Sequence, residues 1–145
     1  MDHVAILSKS SGLLEKILSG RKQIESRWYA SRFPPWGKIS VGDAIYFKYS
    51  GAPVQAKARV KAVKQFSDLT PSRVSDLWHH YGKLIGIDEV EPQIESNRAK
   101  RYCILAYLED VQRVRPFNIN KKGFGNAAAW LPVGDINKVK IERQG

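Results

Sequence analysis

Apolar positions along this chain alternate between a two-residue and a three-to-four-residue period, and the switches divide it into elements. His3–Leu7 alternates weakly and predicts a first strand. Ser10 or Ser11 is placed to cap a helix over Gly12–Ser19, with Leu13, Leu14, Ile17 and Leu18 on one face and Gly20 as a left-handed stop. Lys22–Tyr29 then reads as a strand, and Phe33-Pro34-Pro35-Trp36-Gly37 as loop, since prolines do not sit inside a sheet. Val41-Gly42-Asp43 turns into a strand over Ala44–Tyr49. From Val54 the alternation is clean: Val54, Ala56, Ala58, Val60 and Ala62 on one face, Gln55, Lys57, Arg59 and Lys61 on the other. The phase slips at Val63, which predicts a β-bulge.

The second half is read the same way. Thr70-Pro71 opens a helix, with Val74, Leu77, Trp78 and Tyr81 at helical spacing and Gly82 as its end. Glu89–Asn97 is a candidate third helix, interrupted by Pro92. Tyr102–Leu108 and Val111–Phe117 read as two strands joined at Glu109-Asp110. Asn118–Asn126 is a polar loop, Ala127–Trp130 one helical turn, and Lys138–Glu142 a last strand. Many short strands with few helices point to the α+β class, a small mixed β-barrel with flanking helices and about five or six strands.

A length of 145 residues suits one domain and buries enough surface to need no disulfide or metal. The lone Cys103 sits in an apolar run and reads as a small buried residue. No signal segment opens the chain, and no apolar stretch approaches the ~18 residues of a membrane span. The expected setting is therefore cytoplasmic, with no membrane partner. His3 is terminal, the adjacent His79 and His80 point to different sides of a helix, and no zinc spacing occurs, so neither a metal nor a cofactor is expected.

Charge changes the picture most. Lys and Arg number 24 against 14 Asp and Glu, a formal +10, and no long basic tail carries it. Such a balance on folded surface favours a polyanionic partner, RNA or a nucleotide. Lys22, Glu25 and Arg27 stand at the first helix–strand junction, and strand parity puts Glu25, Arg27 and Tyr29 on one face. Glutamate accepts from an exocyclic amine, arginine holds a phosphate by two prongs, and a desolvated lysine becomes a base or nucleophile. The blander alternative is a surface Glu–Arg pair worth under about 1 kcal/mol. Basic and aromatic residues interleave onward through Tyr29, Arg32 and Trp36, a candidate stacking platform for unpaired bases, while Trp28 and Phe33 are the candidates for core. Lys121 and Lys122 begin a Gly-containing loop whose backbone N–H groups could approach a phosphate, or which is simply solvated. The row Lys57, Arg59 and Lys61 is either a phosphate track or the wet face of a strand.

The spacing of Gly20, Lys22, Glu25 and Arg27 after a first helix, followed by Gly42-Asp43 before a strand, resembles the signature of the ASCH family, a branch of the PUA-like β-barrels. The similarity covers roughly the first half of the chain, and the second half agrees in element order. The resemblance implies a PUA-like barrel with a charged cleft beside the first helix and a role in RNA binding. Some ASCH relatives look like small amidohydrolases of N4-acylated cytidine that use the motif lysine, which would make Lys22 and Glu25 catalytic here. Those relatives carry threonine where Glu25 stands, and that departure favours a binding module. Ribonuclease activity and a protein-interaction role of the coactivator type are the other possibilities the resemblance brings.

Overall fold

A computed structural model describes residues 1–141. Its strands are β1 (Asp2–Leu7), β2 (Ile24–Tyr29), β3 (Ala44–Tyr49), β4 (Val54–Phe66), β5 (Tyr102–Ile119), β6 (Trp130–Gly134) and β7 (Lys140–Ile141). Its helices are α1 (Leu13–Leu18), α2 (Pro71–Ile85) and α3 (Glu91–Asn97), with a 3₁₀ turn over Ile136–Lys138. The strands form one mixed sheet in the order β2-β5-β4-β3-β1-β6, with β7 paired to β5. β1 and β3 run parallel, and the other neighbouring pairs are antiparallel. The sheet curls into a half-barrel flanked by the three helices, an α+β arrangement as expected. Among the described residues it has seven strands where about five or six were expected.

Side-chain alternation explains how three apolar clusters share one sheet. On β5, Ile104, Ala106 and Leu108 face the hollow of the half-barrel, where they join Ala5, Ile45, Phe47 and Val60 and meet Leu14 and Ile17 of α1. Cys103 and Leu105 point the other way, with Ile24 of β2, onto Val74, Leu77, Trp78 and Ile85 of α2. Burial on both faces is why this segment reads as an unbroken apolar run. A third cluster packs Val4, Leu131 and Val133 beneath Ile136 and Val139.

Local chemistry sets the element ends. Thr70 caps α2 by accepting from the Arg73 N–H at 3.2 Å, with Pro71 at the first helical position. The helix does not stop at Gly82: it continues to Ile85 and ends at Gly86, whose φ of 89° is left-handed. Gly82 serves packing instead, since a Cβ there would lie 2.5 Å from Val90 Cγ1. α1 begins one residue later than expected, after a left-handed Gly12, with the Ser11 hydroxyl accepting from Leu13 N–H.

Other expectations on the second half are corrected. Val111–Phe117 is not a separate strand, because β5 runs unbroken through Asp110, which takes a φ of 51°. Ala127–Trp130 is not a helical turn: Trp130 opens β6, pairing with Ala5. The predicted last strand shortens to Lys140–Ile141 after the 3₁₀ turn, and its end at Glu142 lies outside the described residues. The β4–β5 ladder shifts register between Val60 and Ala62, just before the phase slip at Val63, and at two further places the alternation did not reveal.

Candidate nucleotide-binding cleft

The half-barrel leaves a seam between β2 and β6, its two end strands. A cleft of about 1320 Å³ opens there, walled by β2, the end of β1, the start of α1, the α2–α3 junction, and the loops carrying Phe33 and Phe124. Leu108 N–H donates to the Gln23 carbonyl at 2.9 Å, so that carbonyl and the backbone groups of Glu25 and Arg27 face β5, while the Gln23 N–H donates to the Leu84 carbonyl at 2.7 Å. Strand alternation then leaves those of Ser26 and Trp28 on the open edge beside the cleft, while the Ile24 carbonyl accepts from the Lys22 ammonium.

Lys22 is 2% exposed, and its direction is now clear. Its ammonium donates to the carbonyls of Ile24 and Ile85, each at 2.8 Å, and stands 3.7 Å from Glu25 Oε2. Lys16 does the same from α1, donating to the Gly86 carbonyl at 2.7 Å. Two lysines therefore neutralise the C-terminal end of α2, where unsatisfied carbonyls gather negative charge. Burial pulls the Lys22 pKa below the ordinary lysine value, outweighing the opposing pull of Glu25.

Glu25 is 5% exposed and, among the described residues, its carboxylate makes no hydrogen bond. It lies between Lys22 and Arg27, with Arg27 Nε 3.4 Å from Oε1. Arg27 crosses the seam. Its terminal nitrogens donate to the carbonyls of Ile6 (3.2 Å) and Ala129 (3.3 Å), and its guanidinium lies 5.3 Å from the Trp130 ring centre. The pair is not the surface contact that pattern alone allowed; it is a nearly buried row of three charges joining both lips of the barrel.

Trp130 is itself held from behind. Its indole N–H donates to Nδ1 of the fully buried His3 at 3.0 Å, and an indole nitrogen only donates. His3 is therefore protonated on Nε2, which donates to Asp43 Oδ2 at 2.8 Å. Burial lowers the His3 pKa in spite of Asp43. Burial pushes the Asp43 carboxyl up, but bonds from His3, the Ser40 N–H and the terminal amine together hold it below the usual range.

Aromatic groups complete the walls. Trp28 lines the cleft half-buried and stacks on Trp78 with ring centres 4.9 Å apart. Trp78 Nε1 is buried without a partner among the described residues. Tyr29 donates its hydroxyl to the Pro34 carbonyl at 2.9 Å and meets Phe33 edge-on, and burial raises its pKa. Phe33 is 56% exposed rather than core.

Of the sequence-derived candidates, Lys22, Glu25, Arg27 and Tyr29 come together in this cleft. Arg32 and Trp36 form a separate group with Tyr102: the guanidinium lies over both rings, and Trp36 meets Tyr102 edge-on at 5.1 Å. Lys121 and Lys122 do not line the cleft, although Gly123 and Phe124 beside them do. Lys121 instead donates to the carbonyls of Asn126 and Ala128 in its own loop. Lys16, Trp78 and Trp130 were missed. A lysine in the last turn of a helix and tryptophans in apolar runs carry no distinguishing pattern before the fold joins them.

Comparison with solved structures finds the same architecture elsewhere. An ASCH protein from Zymomonas mobilis superposes with a TM-score of 0.64 at 22% identity, over 89% of this chain and 85% of that one. A point mutant of that protein gives 0.63 at 22% identity, over 89% and 87%. The N-terminal domain of Staphylothermus marinus McrB gives 0.52 at 14% identity, over 91% and 87%. No family model and no curated protein matches the sequence. What the sequence motif resembled, the backbone shares: this chain has the ASCH-like, PUA-like fold.

Proposed function

We propose that the chain is a nucleic-acid-binding module, of the RNA-binding kind, that holds one nucleotide of a single strand in the seam cleft. The observation that carries this reading is Glu25: a carboxylate 5% exposed, between two cations, without a hydrogen bond among the described residues. A buried anion without donors is costly, and a ligand N–H approaching its partly open side relieves that cost. Exocyclic amines of cytosine and adenine are such donors. The free backbone edge at Ser26 and Trp28 would complete the reading of a base, with Tyr29 as part of the wall. Arg32 and Trp36, outside the cleft, would meet only a flanking nucleotide.

A hydrolytic reading is favoured by one observation, the lowered pKa of Lys22. Against it, two of the ammonium's protons are committed to carbonyls at 2.8 Å, an arrangement that orients a cation rather than freeing a lone pair. A protein-docking role fits less well with a cleft walled by Lys16, Lys22, Glu25 and Arg27.

The test is titration of labelled single-stranded RNA and of cytidine 5′-monophosphate at two salt concentrations. Binding should weaken steeply with salt, and Glu25→Gln should weaken the mononucleotide by about tenfold. Absence of binding at low salt would refute the module. Release of acetate from N4-acetylcytidine, abolished by Lys22→Ala, would establish the hydrolase in its place.

A further inference from the structure

A second cationic surface lies on the outer face of the sheet, apart from the cleft. On β3, Ile45 and Phe47 point into the half-barrel, so Tyr46 and Lys48 point outward. Tyr46 pairs with Lys57 of β4, whose ammonium sits 6.0 Å from the Tyr46 ring centre. Tyr46 meets Phe117 of β5 edge-on at 6.0 Å, and Lys140 of β7 lies 4.8 Å from the Phe117 ring centre. Two half-buried aromatic rings are thus flanked by a lysine on each side.

The face holds more positive charge than it balances. Lys48 is 8% exposed, and its pKa is lowered first by burial and then by the nearby positive charge of Lys121. Among the described residues, none of Lys48, Lys57, Lys121 and Lys140 forms an ion pair with a carboxylate. Two carboxylates stand near Tyr46 and offset part of this charge: Asp2 accepts from the Ile136 N–H and Asp135 from the Asn137 N–H, and neither pairs directly with one of the four lysines. Concentrated unpaired lysines cost repulsion, and a polyanion lying across them removes that cost while releasing counterions.

The patch also adjoins the cleft. Ile6 offers its carbonyl to Arg27 on one side and pairs with Lys48 on the other. The loop that supplies Phe124 to the cleft carries Lys121 towards Lys48. One strand spacing, about 5 Å, therefore separates the lip of the cleft from the first outer lysine.

We propose that the outer face formed by Tyr46, Lys48, Lys57, Phe117, Lys121 and Lys140 is a second binding surface for a single-stranded nucleic acid, gripping the phosphodiester backbone that flanks the nucleotide in the cleft. It shares its ligand class with the proposed function and rests on that reading for the position of the first nucleotide. The row Lys57, Arg59 and Lys61 continues the face along β4, although Arg59 is partly engaged by Asp110 at 3.8 Å.

The experiment uses a labelled oligocytidine of about a dozen nucleotides, long enough to extend beyond the cleft, alongside cytidine 5′-monophosphate. Lys57→Gln combined with Lys140→Gln removes two charges of the face that form no side-chain hydrogen bond among the described residues, and thermal melting checks that the fold is kept. Every phosphate that is no longer neutralised should reduce the slope of log affinity against log salt by about 0.7 for a single strand, so the double variant should lower it by about 1.4. Mononucleotide affinity should stay unchanged. An unaltered slope for the oligonucleotide overturns the proposal. So does a poly-glutamate chain that competes as well as the RNA and depends on the same two lysines, since the face would then serve an acidic protein. If the mononucleotide fails to bind the wild type while the oligonucleotide slope still falls, the cleft reading fails and the outer surface stands.

Discussion

Arg27→Ala should be the most informative single change in this protein, because one side chain closes the barrel seam and balances a buried carboxylate. The arginine side chain is 14% exposed and Glu25 beside it 5%. Removing one partner of a buried pair costs about 3–5 kcal/mol in general. Here the cost is reduced, because Glu25 keeps Lys22 at 3.7 Å and the opened cleft admits water. To this is added the stacking on Trp130 at 5.3 Å, worth about 0.5–1 kcal/mol at a partly solvated site. The carbonyls of Ile6 and Ala129 can rehydrate, so freeing them adds little. A net destabilisation of about 2–3 kcal/mol follows, measured by urea unfolding at neutral pH with an unchanged slope. Neutralising the anion first should remove part of this. In a Glu25→Gln background the same arginine substitution should cost about 1 kcal/mol, giving a coupling of about 1–2 kcal/mol. A single-variant cost below about 1 kcal/mol, or strict additivity in the double variant, would refute the seam-clamp argument.

Two further outcomes test other parts of the structure. His3 has a lowered pKa in the folded state, so below the ordinary value near 6.5 the unfolded chain binds more protons, and stability present above that pH is lost as pH falls. Urea midpoints taken from pH 7.5 down to pH 5 should fall in the wild type and lose that segment of the decline in His3→Gln; an identical decline in both would show that another group is responsible. Gly82→Ala should lower stability by about 1–2 kcal/mol despite alanine's better helix propensity, because its Cβ would sit 2.5 Å from the stiff side chain of Val90, and a rise in melting temperature would contradict this.

Where a local rule was sufficient, the sequence was legible. Thr70-Pro71 starts α2 and Ala44–Tyr49 is β3 as read, because a cap and a Gly-Asp turn act within a few residues. Parity set Glu25 and Arg27 on one face, and the resemblance carried by the motif implied the PUA-like fold. What was not legible depended on neighbours distant in sequence. Gly82 looked like a helix stop until Val90 was seen packed against it. Asp110 looked like a turn because the left-handed conformation is common to turns and to bulges inside one long strand. Lys22 had no predictable direction, since its acceptors include the Ile85 carbonyl on another element. Trp130 looked like part of a helix, although its partners are His3 and Arg27, far away along the chain.

The length of β5 also bears on how this molecule assembles itself. β5 pairs with β2 from the first part of the chain, with β4 across the whole α2–α3 excursion, and with β7 near the end. Until it docks, β2 has no neighbour and the hollow of the half-barrel lacks a wall. Pairings between segments so distant in sequence must meet their loop-closure entropy before any contact repays it, which slows folding. The helices α2 and α3, being local, are free to form early. The cleft, built on β2 and on the β6 lip across the seam, therefore needs segments far apart in the chain, so a chain ending before Tyr102 would possess every charged residue of the motif and no site.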